Sequence, residues 1–272
     1  MKFFRLLIIL LSLVSYPASA DIMLLIHGYL GDATSWERSG INSELHKQGW
    51  QRAGMFRGSP MGPQLYTTEH SDDSTNLVYV AELPSMEPVF IQADILKNII
   101  DTIRQRHGDQ SLILVGHSAG GVVARMALIR HQINDVSALI TIASPHIGTG
   151  RADQALNITR DHGPFNVVKS FVGGDGYHAL RNSRGLIVDL RYPQPGNLLY
   201  WLNSQPHPDI QYASIIRTKN NGAQGDYYVP GFSQNMNNVP VLRGQSATFV
   251  TPTSHFLVRQ DANTIIDIIE QQ

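Results

Sequence analysis

At 272 residues, 42% of them hydrophobic and 16% charged, the chain is long enough to bury the core of one sizeable α/β domain and too apolar to be disordered. A formal net charge of −1, without a clustered basic face, excludes a nucleic-acid footprint. The absence of cysteine excludes disulfides, a thiol nucleophile and thiolate metal sites.

The first twenty residues have the make-up of an export signal. Lys2 and Arg5 form a short basic segment, residues 3–14 are almost wholly apolar, and Ala18-Ser19-Ala20 is a small-residue cleavage site. The apolar run, about a dozen residues, falls short of the ~20 that a spanning helix needs. The expectation is a signal peptide over 1–20 and a single exported domain over 21–272, periplasmic or secreted. Losing Lys2 and Arg5 leaves 19 basic against 22 acidic side chains, still no basic surface.

The mature chain opens on a continuous apolar run, 22–26, that stops at His27-Gly28 and suits a strand buried on both faces of a parallel sheet. A second short strand is expected over 77–81. Residues 89–106 carry Ile95, Leu96, Ile99, Ile100 and Ile103 at helical spacing, with His107-Gly108 as a stop. A buried strand over 111–115 leads into Gly116-His117-Ser118-Ala119-Gly120-Gly121 and a helix to about residue 131. Residues 136–143 form another apolar strand, broken at Ser144-Pro145. This alternation of strand and helix implies a parallel sheet with right-handed crossovers. From 148 to 209 the pattern loosens around Gly173-Gly174, Gly176, Pro193, Pro195, Pro206 and Pro208. Some helix is expected near 198–202, and residues 149–209 read as a cap-like excursion between sheet strands, since long insertions in compact domains tend to be functional. Strands are expected again over 211–217 and 246–250, and a closing helix runs from 255 or 263 to 270.

The pentapeptide Gly116-His117-Ser118-Ala119-Gly120 carries the chemistry. Between an apolar strand and an apolar helix, a Gly-x-Ser-x-Gly turn forces the serine hydroxyl out of the sheet, because the flanking glycines let the backbone approach itself closely. The helix that follows directs its N-terminal N–H groups and positive dipole at a reacting carbonyl. A serine hydroxyl needs a base to take its proton, and the base needs a carboxylate to fix its tautomer. His255, in Thr253-Ser254-His255-Phe256, is the one histidine that follows the last expected strand; His131, His146, His162, His178 and His207 come earlier. Asp226 lies in the loop after the strand before it, with Asp175, Asp189 and Asp209 as competitors. Two backbone donors, the N–H groups of Ala119 and of Tyr29 after the first strand, are assigned to the oxyanion hole. His27 and His117 read as structural.

His27-Gly28-Tyr29, Gly116-His117-Ser118-Ala119-Gly120-Gly121, Ala143-Ser144-Pro145-His146-Ile147-Gly148-Thr149, Gly225-Asp226-Tyr227-Tyr228-Val229-Pro230 and Ser254-His255-Phe256 together resemble the α/β-hydrolase superfamily, and within it the bacterial triacylglycerol lipases and lipase-like serine esterases. The resemblance implies an α/β-hydrolase fold with helices on both faces of a mostly parallel sheet, and hydrolysis of acyl esters by Ser118, Asp226 and His255. The early first strand points to a minimal sheet of about six strands. Many bacterial lipases carry an aspartate soon after the catalytic histidine that helps bind calcium. Phe256-Leu257-Val258-Arg259 stands there instead, so neither a metal nor another cofactor is expected. The expected partner is a small-molecule or lipid ester, with transient contact to a lipid surface and no obligate protein partner. An acyltransferase using the same three residues, or a non-catalytic binding module on the same fold, are the alternatives. Tyr29, Leu30, Trp36, Phe165, Phe171 and Trp201 are candidates for an apolar acyl site or for core.

Overall fold

The computed structural model describes residues 21–67, 76–158, 174–219 and 221–271. The segment expected to be a signal peptide lies outside them. Eight strands form one sheet: β1 (Ile22–Ile26), β2 (Gln51–Arg57), β3 (Gln64–Thr67), β4 (Leu77–Glu82), β5 (Leu112–His117), β6 (Ala138–Ile142), β7 (Gln211–Arg217) and β8 (Ser246–Thr251). Their order is β3-β2-β4-β1-β5-β6-β7-β8. Every neighbouring pair is parallel except β2 with β3.

The continuous apolar runs become central strands because side chains alternate across a pleat and both faces of this sheet are covered. In β1, Ile22, Leu24 and Ile26 enter one core while Met23 and Leu25 enter the other. In β5, Leu112 and Leu114 take the first side, and Ile113 and Val115 the second. The first core is closed by α3 (Val89–His107) and α4 (Ala119–Arg130); the second by α1 (Ser35–Arg38), α2 (Ile41–Lys47) and the last helix, α10 (Gln260–Glu270). Helix α3 ends where expected, at Gly108 with φ +60°, a left-handed conformation that favours glycine.

The expected sheet of six strands is two short. The six expected strands are all present and parallel; β2 and β3 extend the edge beyond β4. Neither announces itself by pattern. β2 begins with two exposed polar residues and has a register shift between Arg52 and Gly54, and β3 is almost wholly exposed. Strands at the margin of a sheet need no continuous apolar run, since only part of each is covered.

The stretch after β6 is more helical than its glycines and prolines suggest. Among the described residues it holds α5 (Gly150–Ile158), α6 (Gly174–Asn182), α7 (Arg184–Asp189) and α8 (Leu198–Leu202). These helices are too short for periodicity to reveal them. Their apolar faces join the first core through Ala152, Leu156, Leu186, Ile187, Leu199 and Leu202. One more short helix, α9 (Gly231–Gln234), follows β7. No helix among the described residues is long and apolar enough to cross a membrane.

Candidate functional site

Ser118 stands at the carboxyl end of β5 and is the cap residue of α4. Its backbone is at φ 52°, ψ −126°, a region side chains other than glycine rarely adopt. The surrounding packing enforces that strain. A Cβ on Gly116 would lie 2.4 Å from the Gly121 Cα, so the turn closes only with glycine there. The strained backbone lifts the hydroxyl off the sheet and starts α4 at Ala119.

His255 lies in the turn between β8 and α10. Its Nε2 is 2.9 Å from Ser118 Oγ, and its Nδ1 is 2.8 Å from Asp226 Oδ2. An ionised carboxylate only accepts, so Nδ1 carries the hydrogen and the Nε2 lone pair faces the Ser118 hydroxyl. Asp226 follows β7 in a turn closed by the pairing of Gly225 with Pro230. Its Oδ1 accepts the N–H groups of Tyr228 (2.7 Å) and Val229 (2.9 Å), and its Oδ2 also accepts Gln234 Nε2 at 2.9 Å. Burial by itself would raise the Asp226 pKa; the bonds from His255 and the two backbone N–H groups outweigh it and hold the carboxyl below its ordinary range.

The loop after β1 meets this turn at Gly28. A Cβ there would lie 2.8 Å from the Ser118 Cβ and 2.9 Å from the His117 carbonyl oxygen. Glycine alone therefore lets the following residues, Tyr29 first, lie against the serine. Neither the Tyr29 nor the Ala119 N–H has a partner among the described residues. The loop is anchored by His27. The Leu83 N–H donates to its Nε2 at 3.0 Å, which leaves the hydrogen on Nδ1, 3.1 Å from the Gly28 carbonyl. Burial pushes the His27 pKa down and keeps this neutral form. A bond from the Ala33 N–H to Glu82 and one of 2.8 Å between Tyr29 Oη and Ser183 Oγ complete the anchoring.

His117 is also neutral, its pKa pushed down to about 3 by burial and by the neighbouring His255. Its Nε2–H donates to the His255 carbonyl at 2.9 Å. The next carbonyl, of Phe256, accepts Arg217 Nη2 at 3.0 Å. Arg217 is fully buried and paired with Asp261 in two bonds, Nη1–Oδ1 at 2.5 Å and Nη2–Oδ2 at 2.8 Å, with Nη1 also on Thr251 Oγ1 at 2.7 Å. Asp261 Oδ2 accepts the Val258 N–H at 2.9 Å. The same arginine reaches the acid loop: its own N–H donates to Gln234 Oε1 at 2.8 Å, and Gln234 is the amide that touches Asp226. One buried ion pair thus ties together the loops that carry His255 and Asp226.

Ser118, Asp226 and His255 come together as expected. Of the competing acids, Asp189 caps α3 by accepting the Val89 N–H at 2.8 Å. His131 pairs with Asp94, and His146 sits on Thr141. Among the residues considered for an acyl site, Trp36 is wholly buried in the second core, whereas Leu30 and Trp201 are exposed. Phe165 and Phe171 lie outside the described residues. Tyr228 packs its ring 5.0 Å from that of His255, with Phe256 and Tyr227 beside it, all three exposed. Sequence reasoning missed Gln234, Arg217 and Asp261. Only the polar end of an apolar strand at Arg217 and an acid in the first turn of the last helix hinted at the pair.

A family model described as the PGAP1-like alpha/beta domain matches residues 18–160, just over half of the chain. No curated protein shows significant similarity in sequence. Among solved structures, the mature form of the Bacillus licheniformis lipase BlEst2 superposes with a TM-score of 0.63 at 16% identity, covering 95% of this chain and 94% of that one. A lipase-esterase related protein from Clostridium acetobutylicum gives 0.55 at 13% identity, covering 94% and 96%. The metagenomic carboxyl esterase MGS0156 gives 0.56 at 11% identity, covering 94% and 77%. At such identities the likeness is one of fold, that of the lipases and esterases. The chain belongs to the PGAP1-like alpha/beta domain family and has the α/β-hydrolase fold.

Proposed function

We propose that this protein hydrolyses carboxylic esters of acyl or lipid type through an acyl-enzyme on Ser118. The observation that carries the reading is the unbroken chain from Ser118 Oγ to His255 to Asp226, with bonds of 2.9 and 2.8 Å, on a strained turn at the head of a helix. In this reading an ester places its carbonyl oxygen on the N–H groups of Tyr29 and Ala119. Ser118 Oγ attacks the carbonyl carbon while His255 Nε2 takes its proton. The oxyanion collapses, the C–O bond to the alcohol breaks, and His255 returns the proton to the leaving alcohol. Water then attacks the acyl-serine with His255 again as base, freeing the acid and restoring the serine. Asp226 stays ionised, orients the ring and stabilises its charged form. The second residue of the chain's Tyr227-Tyr228 pair lies against His255, and this exposed aromatic surface supports an apolar acyl or alcohol group and contact with a lipid surface. The basic, apolar and small-residue order of residues 1–20 supports export.

The test is hydrolysis of chromogenic esters over a range of acyl lengths by the protein and by Ser118→Ala. Turnover by the first and loss of about 10³-fold or more in the second is expected. No turnover of any ester by the intact protein, or full activity in Ser118→Ala, would overturn the proposal.

A further inference from the structure

The loop that carries Tyr29 is strained. The Gly31 N–H donates to the Gly28 carbonyl at 3.0 Å and closes a turn over Gly28-Tyr29-Leu30-Gly31. Leu30, third in that turn, has φ +54°, in the left-handed region that calls for glycine or asparagine at this place. Its side chain is 59% exposed, so its own packing does not hold it there. A leucine in this conformation persists only where the surroundings impose it. Two restraints come from the end of β4: Glu82 accepts the Ala33 N–H, and the Leu83 N–H donates to His27 at 3.0 Å. They grip the chain on either side of the turn. The turn itself is gripped by the Tyr29 side chain, whose Oη lies 2.8 Å from Ser183 Oγ. Ser183 is fully buried, between α6 and α7. Its single hydroxyl hydrogen goes to the Ala179 carbonyl at 2.5 Å, so Tyr29 donates and Ser183 accepts.

The segment around Ser183 is fixed in turn. Leu186 and Ile187 enter the first core, a Cβ on Gly185 would lie 2.7 Å from Pro88 Cγ, and Asp189 accepts the Val89 N–H at 2.8 Å. Pro88 and Val89 stand at one end of the connection between β4 and α3; Glu82 and Leu83, which hold the loop of Tyr29, stand at the other. The loop after β1, this connection and the α6–α7 segment therefore close a ring, in which the Tyr29–Ser183 bond joins the first to the last. We infer that the α6–α7 segment sets the oxyanion hole, with the Tyr29 phenol and the Ser183 hydroxyl as positioning groups for the Tyr29 N–H, a role that rests on the proposed ester chemistry. Without the bond, the turn relaxes toward negative φ at Leu30 and the Tyr29 N–H leaves the place where the oxyanion develops. In this role neither side chain touches the reacting atoms. The ester carbonyl is common to every substrate, so the loss is the same whatever the acyl chain.

The test is steady-state kinetics of Tyr29→Phe, Ser183→Ala and the double variant on p-nitrophenyl acetate and p-nitrophenyl decanoate, with Tm measured on each protein. Tyr29→Phe is the cleaner change, because the ring stays and Ser183 keeps its bond to Ala179; it decides the matter even where Ser183→Ala folds poorly. In Tyr29→Phe kcat is expected to fall by about 10- to 100-fold, up to the cost of a displacement near 1 Å, with KM and Tm little changed and the same factor on both esters. The double variant should fall no further than Tyr29→Phe, since the bond is already gone. Parental kcat in Tyr29→Phe, a loss confined to the decanoate, or losses that add in the double variant would each overturn the inference while leaving the esterase reading in place. A parent that hydrolyses neither ester and takes no fluorophosphonate on Ser118 would overturn that reading, and this role with it.

Discussion

Removing one half of the Arg217–Asp261 pair separates what it does for folding from what it does for the site. In Asp261→Asn the guanidinium keeps its charge in a position with no exposure, loses its counter-charge, and keeps an acceptor for only one of the two bonds of 2.5 and 2.8 Å. Breaking a buried pair in this way costs about 3–5 kcal/mol. For a domain of this size that corresponds to a fall in Tm of roughly 6–20 °C. The double variant Arg217→Met/Asp261→Leu removes both charges and fills the space with apolar groups, so most of the lost stability should return. The loop of His255 should not recover. The Phe256 carbonyl and the Val258 N–H have both lost their partners, and a displacement near 1 Å at a reacting group costs about 10²-fold in rate. Thermal unfolding and ester kinetics on the three proteins make the comparison. The expected pattern is a double variant close to the parent in Tm, with kcat still depressed and KM little changed. Full recovery of kcat together with Tm would refute the view that this pair positions His255.

Three further outcomes follow from single contacts. In Asp226→Asn only one oxygen remains, the Tyr228 and Val229 N–H groups claim it, and the amide N–H₂ then faces His255 Nδ1. The imidazole is driven to the tautomer that has no lone pair for Ser118, and kcat near neutral pH should fall by about 10⁴ with the fold intact. In Gly28→Ala the new methyl meets the Ser118 Cβ and the His117 carbonyl, pushing the Tyr29 N–H away; steady-state kinetics should show kcat down by about 10²–10³, the cost of one oxyanion donor. Asp189 has its pKa raised to about 6 by burial, against which the Val89 N–H bond acts only partly. Its folded form binds the proton more tightly than the unfolded chain does, so its contribution is greatest below about pH 4 and is lost as pH rises through about 6. Asp189→Asn keeps an acceptor and removes the titration. Melting curves over this range should show the variant gaining on the parent as pH rises, and a constant difference would refute the assignment.

The central sheet and the three principal side chains were legible in the sequence because each leaves a local trace. β1, β5 and β6 are continuous apolar runs, Ser118 sits in a turn with glycines at fixed offsets, and His255 and Asp226 follow consecutive strands. What supports them was not legible. Arg217 and Asp261 are 44 residues apart, and neither lies in a pattern that foretells the other. Gln234 looks like any polar residue of a short helix until the fold sets its amide between the Arg217 backbone and Asp226. The outer strands β2 and β3 escaped notice because partial exposure removes the apolar run that betrays a central strand.

The most direct measurement of the central claim is covalent. The protein is treated with a fluorophosphonate, its intact mass is read, and the labelled peptide is sequenced. One equivalent of phosphonyl adduct on Ser118, formed rapidly in the parent, slowly in Asp226→Asn and not at all in Ser118→Ala, is the result predicted by an activated serine. A parent protein that stays unlabelled, or that carries the adduct on another residue, would contradict it.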